Sequence, residues 1–336
     1  MRTLLSACLL AASIAAACRA CAPVMMKGHK VEIATESALI AWDAKTKTET
    51  FVRRAKFDTA TPYFGFLVPT PGVPKVDEAP DFVFTMLEDW SKREEVTETR
   101  VRYVSLFGGG SKSAMLAGEK GDRAGRGAPP PKPAVEVLDS GTVAGLDFAV
   151  LRADDKKALE EWLQKHGYDA RPAVMDWLQD YIAKKWIITA FQLRKDNARA
   201  TGLNTAAMRM TFKADEPFYP YREPADARPA DYAGPRRFLR VFFVGDGRYA
   251  GRLDDKSRSW TGRAEYAKPL DAGRRTALAK AAPAGEGAWL TVFDDDATPR
   301  VGTGEVFFSK DPTQAELARP PIVHVRWVER TSPTEL

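Results

Sequence analysis

VEIATESALIAWDAKTKTETFVRRAKF, residues 31–57, alternates apolar or small side chains with polar ones on both sides of a polar break at Asp43–Lys47. A two-residue period is the mark of a half-buried strand, because successive side chains leave a strand on opposite faces. Val31–Ile33 and Ala38–Trp42 therefore read as strands, Asp43–Lys47 as a turn, and Thr50–Phe57 as the returning strand, with Phe51, Ala55 and Phe57 on one face.

Working outward, the same pattern returns at 63–68, where Pro69, Pro71 and Pro74 then remove backbone donors, and at 101–107. Further strands are expected at 135–138 and 146–151 around a Ser140-Gly141 turn, and at 186–193 and 207–212. Residues 238–244 and 248–253 read as a hairpin closed by Asp246-Gly247, a favoured two-residue turn. Weaker strands follow at 289–293, 305–308 and 322–328. Helical spacing interrupts this series three times. Phe82, Val83, Met86, Leu87 and Trp90 form one stripe, with Pro80 suited to the first turn. Asp154 and Asp155 offer an N-cap to a helix whose face is Leu159, Trp162, Leu163 and His166; Glu161 and Lys165 are an i,i+4 pair, and Gly167 stands at the stop. A second helix starts near Pro172 and buries Val174, Trp177, Leu178, Tyr181 and Ile182. The expected fold class is α+β: a mostly antiparallel β-sheet, with a helix near 79–91 and a helix pair near 154–184 packed on it.

The first twenty residues differ from the rest. Arg2 supplies a positive start, Leu4–Ala17 is an apolar, small-residue run, and Ala15 and Ala17 form an A-x-A cleavage pattern. About 20 apolar residues are needed to span a bilayer, so this run reads as an export signal, residues 1–20, and no span is expected in the mature chain. Cleavage after Ala17 or Ala20 starts the mature chain at Cys18 or Cys21. A short apolar run before Cys18 is also the pattern of lipid attachment, and Cys18-x-x-Cys21 could close a small disulfide. Residues 21–107 form a β-rich region with one helix. Residues 108–133 are a Gly/Pro-rich loop, and 134–330 are an α+β region able to form one body with the first.

The formal charge of +5 comes from leader and loop. Residues 108–133 hold five basic side chains against Glu119 and Asp122, and Arg2 and Arg19 belong to the leader. What folds is left without net charge, so no basic footprint for nucleic acid is expected.

The phrases GHKVEIA, ALIAWD, FVRRAKFDT, FGFLVPTPGVP, VAGLDFAVLRADDKKALEEWLQKHGY and PFYPYREP resemble the bacterial secreted proteins grouped as domain of unknown function 2330, over roughly residues 21–250. The resemblance implies an exported bacterial protein. It supplies no activity, fold or catalytic residue to carry over.

Motifs for chemistry are sparse. G-x-S-x-G and S-x-x-K are absent, the GGGSKS start of the loop lacks the Gly before Lys that a phosphate loop needs, and H-E-x-x-H is missing. Of His29, His166 and His324, the last two fit a helix end and a strand. Catalytic residues are therefore not assigned. Two segments carry ligand expectations. Phe218, Tyr219, Tyr221, Arg222 and Glu223, set among prolines, could line an extended groove for a peptide or glycan, or serve as a covering strand. Asp294, Asp296, Thr298 and Glu305 fall at places one, three, five and twelve of a calcium loop, although Pro299 stands where Gly makes the turn; a solvated acidic turn is the plainer alternative. No other cofactor is expected.

The leading expectation is an envelope or extracellular protein that binds a protein, peptide or glycan without catalysis. A carboxylate-dependent hydrolase of an envelope glycan or peptide is the alternative, and a calcium-stabilised module the third.

Overall fold

The computed structural model describes residues 23–25, 31–59, 64–103, 135–193, 207–227, 238–254, 258–296 and 304–330. The leader with Cys18 and Cys21, His29, the 108–133 loop and Thr298 lie outside the described residues. In chain order the elements are β1 (Pro23–Met25), β2 (Val31–Asp43), β3 (Thr48–Thr59), β4 (Phe64–Thr70), β5 (Lys75–Glu78), α1 (Phe82–Ser91), β6 (Glu95–Tyr103), β7 (Val135–Val143) and β8 (Leu146–Ala153). Then come α2 (Lys156–Lys165), α3 (Pro172–Ala183), β9 (Ile187–Leu193), β10 (Met208–Lys213), β11 (Phe218–Tyr219), β12 (Phe238–Gly245), β13 (Tyr249–Leu253), β14 (Arg263–Pro269), α4 (Ala272–Leu278), β15 (Trp289–Asp295), β16 (Val306–Lys310) and β17 (Ile322–Arg330).

The 31–59 hairpin sits in the middle of a seven-stranded sheet ordered β14-β15-β12-β2-β3-β10-β5. A five-stranded sheet, β1-β4-β9-β8-β7, is antiparallel throughout; in the larger sheet only β12 and β2 run parallel. Alternation along the strands sorts their side chains into three cores. Ala38, Ile40, Phe51, Phe243 and Phe293 meet Phe66, Val68 and Phe191 of the smaller sheet in an inter-sheet core. The opposite face of the larger sheet, with Leu39, Ala41, Val52 and Phe242, is covered by α1 and α4. The opposite face of the smaller sheet, with Leu67, Leu151, Ile188 and Ala190, is covered by α2 and α3. The result is helices, sheet, sheet, helices, an α+β arrangement of mostly antiparallel strands. A three-stranded sheet, β11-β16-β13, contributes Phe218, Tyr249 and Phe308 to the inter-sheet core. Strands β6 and β17 form a separate parallel ribbon.

Several elements depart from the sequence pattern. Phe238–Leu253 is not a hairpin: β12 is paired on both edges by β2 and β15, so β13 turns away and pairs with β16. Strand β7 runs straight through Ser140 and Gly141 and turns at Ala144-Gly145, whose φ values of 52° and 77° are the left-handed pair that a tight two-residue hairpin turn requires. In α1 the buried residues are Val83, Phe84 and Leu87, while Phe82 is half exposed; Phe84 packs on Phe242 with ring centroids 6.3 Å apart, which rotates the stripe. Pro80 precedes α1, with Asp81 at the N-cap. Glu161 pairs at 3.9 Å with Lys157 and not with Lys165. Strand β14 and helix α4 had no distinct sequence signal.

Candidate functional site

The helix α2 and the hairpin β7–β8 meet at an open cleft. Asp155 caps α2, its Oδ1 accepting the Ala158 N–H at 2.8 Å, and Leu159, Trp162 and Leu163 are buried against the smaller sheet. Burying such side chains contributes about 1.5–3 kcal/mol each, which fixes the helix on the strands. The helix ends in a Schellman turn: the Tyr168 N–H donates to the Leu163 carbonyl (2.8 Å) and the Gly167 N–H to that of Gln164 (3.1 Å), with Gly167 at φ 82°. That turn carries Tyr168 back beneath the helix. Its ring lies against Gly65 of β4 and shares a stack with Trp162, centroids 6.1 Å apart.

His166 occupies the C-cap. Its ring stacks on Trp162 at 3.9 Å, and its Nδ1 lies 2.7 Å from the Trp162 carbonyl oxygen. A carbonyl only accepts, so Nδ1 carries the proton, and in the neutral ring Nε2 is left as an acceptor. The facing strands contribute Ser140, Asp147, Phe148 and Gln192. Asp147 and Gln192 are paired neighbours on β8 and β9, and Gln192 is in turn the partner of Gly65 on β4. Asp147 Oδ1 accepts from the Thr142 hydroxyl at 2.8 Å. Burial, helped by the Asp147 charge, raises the Tyr168 phenol well above its ordinary range, so Tyr168 remains a neutral hydroxyl.

The cleft encloses about 330 Å³. Among the described residues its walls hold three aromatic rings, a His, a Ser, a Gln and one carboxylate, and no Lys or Arg. Aromatic surface and a carboxylate, with no basic side chain among the described lining residues, suit a positively charged or amine-bearing group.

The two segments singled out in the sequence go elsewhere. Phe218, Tyr219 and Tyr221 are each at most 1% exposed, so their rings are core and offer no groove. The Phe218 N–H donates to Glu49 Oε2 at 2.9 Å, and the Tyr221 hydroxyl to Asp295 at 2.7 Å. Arg222 pairs with Asp180 of α3, and Glu223 is buried. The segment is a strap across the end of the sandwich.

The calcium loop does not assemble among the described residues. Asp294 is held by Arg240 in a two-point pair (2.7 and 2.8 Å) and by Arg319, while Asp296 faces Arg263 at 3.5 Å. Glu305 points into the core, where its carboxylate accepts from the Tyr181 hydroxyl and from the N–H groups of Tyr221 (2.7 Å) and Arg222 (3.1 Å). Burial raises the Glu305 carboxyl, and those donors oppose the rise. Oxygens engaged by guanidinium and amide donors in different places cannot converge on one ion.

A family model described as an uncharacterized protein conserved in bacteria, DUF2330, matches residues 14–300. The chain belongs to this family. The match includes both sheets and the cleft, and it agrees with the resemblance read from the motifs. No curated protein matches the sequence. Among solved structures the chain is similar to baculovirus P35, at 7% identity and a TM-score of 0.38, covering 85% of this chain and 98% of that one.

Of the cleft residues, His166 and Trp162 had a sequence signal as members of the α2 stripe, and Asp147, Phe148 and Gln192 only as parts of expected strands. Asp147, Gln192 and Tyr168 come together through strand register and the Gly167 turn. The Gly167-Tyr168 sequence after a capped helix was the one local sign that the chain folds back there.

Proposed function

We propose that the protein is an exported, non-catalytic binding protein of the bacterial envelope, and that the cleft between α2 and the β7–β8 hairpin receives a basic side chain of a peptide or protein partner. The observation that carries this reading is the lining itself: Asp147 beside Phe148, Trp162 and Tyr168, with no lysine or arginine among the described lining residues. A cation over aromatic rings gains about 0.5–2 kcal/mol, and the carboxylate adds a charge-assisted bond. Export rests on the Leu4–Ala17 run with its A-x-A pattern. Among the described residues no helix is long and apolar enough to cross a membrane. The mature chain would then begin at Cys18 or Cys21, and at Cys18 it would carry a lipid if the lipoprotein pattern is used.

A carboxylate hydrolase would place two acids across a cleft from each other. Among the described residues the cleft holds Asp147 alone, while Glu305 and Asp295, both in contact with Tyr221, are about 2% exposed and beyond a substrate's reach. The binding reading is tested by thermal shift with short peptides that differ only in one Lys, Gln or Glu. It expects a rise in Tm with the Lys peptide. No shift with the Lys peptide, or equal shifts with all three, would reject it.

A further inference from the structure

The ribbon of β6 and β17 is out of keeping with the rest of the fold. Its nine residue pairs run parallel, from Ile322 opposite Glu95 to Arg330 opposite Tyr103. Parallel strands are normally covered on both faces, and a two-stranded ribbon alone is marginal in water. Here Glu95–Arg100 are all exposed, and Val96, Val323 and Trp327, at 38, 46 and 53% exposure, lie on the same face as Glu98 and Arg100. Among the described residues β6 pairs with β17 alone, so its other edge offers a row of backbone donors and acceptors.

The sequence of that edge is complementary to itself. In EVTETRVRY, residues 95–103, an antiparallel pairing of two copies centred on Thr99 sets Glu98 opposite Arg100 of the second copy, and Arg100 opposite its Glu98. Opposite charges in directly facing positions stabilise antiparallel pairs, and the two-fold symmetry supplies the contact twice. The β17 edge lacks this property. Centred on Arg326 it faces Arg326 with itself, and centred on Val325 it faces His324 with Arg326. Within one chain Arg100 already bonds Glu98 at 2.9 Å, with both side chains about half exposed, so the charges sit at the surface where a second strand would meet them.

We propose that the edge of β6 left unpaired among the described residues is a self-association surface. Two copies pair their β6 strands antiparallel about Thr99, joining two parallel ribbons into one four-stranded sheet. Residues directly opposite in a strand pair point to the same face, so Val96, Val323 and Trp327 of both copies share one side of that sheet. An edge contact of this size buries modest area, so association is expected in the micromolar range.

The test is sedimentation of the purified protein, its E98R and R100E variants, and an equimolar mixture of the two variants. The wild type is expected to move from monomer mass toward twice that mass as concentration rises. Each variant alone faces like charges across the two-fold and is expected to associate at least about tenfold more weakly. When an E98R chain meets an R100E chain, both facing pairs again join a basic side chain to an acidic one, so the dimer returns in the mixture. Both positions are exposed, and far-UV circular dichroism and Tm should be unchanged. A wild type that stays monomeric into the hundred-micromolar range (roughly, for a contact this small) would overturn the proposal. Variants that associate as tightly as wild type, or a mixture that stays monomeric, would do the same.

Discussion

Tyr168 lies so close over Gly65 that a β-carbon there would sit 2.7 Å from the Tyr168 ring and 2.5 Å from the Phe191 carbonyl oxygen. The backbone at Phe191 belongs to the central strand of the smaller sheet and cannot yield. The contact with that oxygen would push β4 away from β9, and the contact with the ring would displace Tyr168 and with it one wall of the cleft. Gly65→Ala is therefore expected to lose about 1–3 kcal/mol of stability in denaturant titration. It is also expected to weaken cleft binding, by more than a surface substitution of equal size.

Arg53 and Glu36 form an ion pair inside the inter-sheet core, Nε to Oε1 at 2.7 Å, both at most 2% exposed, with the guanidinium 4.7 Å from the Phe66 ring centre. Removing one partner leaves a buried charge. Arg53→Met alone is expected to cost about 3–5 kcal/mol, whereas Arg53→Met with Glu36→Leu recovers most of that loss. Chemical unfolding of the two variants beside wild type measures the difference.

Glu49 is buried, its Oε2 accepting from the Phe218 N–H, and burial raises its carboxyl well above the ordinary carboxylate range. In the folded protein it holds its proton where the unfolded chain has released it. Its contribution to stability is complete below the unfolded value and declines as pH rises toward the folded one. Glu49→Gln removes this dependence. The stability of the variant minus that of wild type is expected to grow as pH rises above the unfolded carboxyl's value, by at most about 1.4 kcal/mol per pH unit, and then level off. Melts from pH 4 to pH 8 (roughly the range in which a raised carboxyl titrates) follow it.

What could be read in the sequence was local. Alternation identified β2 and β3, and Asp155, Gly167 and Pro172 bounded the helix pair, because caps and turns are chosen by their own residues. Pairing was not local. Asp246-Gly247 is a good hairpin turn, yet β12 had two other edges to satisfy, and that demand came from strands about 50–200 residues away. The choice between groove and covering strand at Phe218–Glu223 was not local either: Phe218 and Tyr221 are fixed as a covering strap only once Glu49, Asp295 and Glu305 are brought under them by the sheet. Asp147 and Gln192 lie 45 residues apart and meet by register alone.

The proposed preference of the cleft for a cation rests on the charge at Asp147, an exposed side chain whose loss should leave the fold intact. The most direct measurement is titration calorimetry of a lysine-containing peptide, and of the same peptide with that lysine acetylated, against wild type and Asp147→Asn. The account predicts binding of the lysine peptide by wild type and a loss of about tenfold or more on either acetylation or Asp147→Asn, with no further loss when the two are combined. Equal affinity of wild type and Asp147→Asn for the lysine peptide would contradict it.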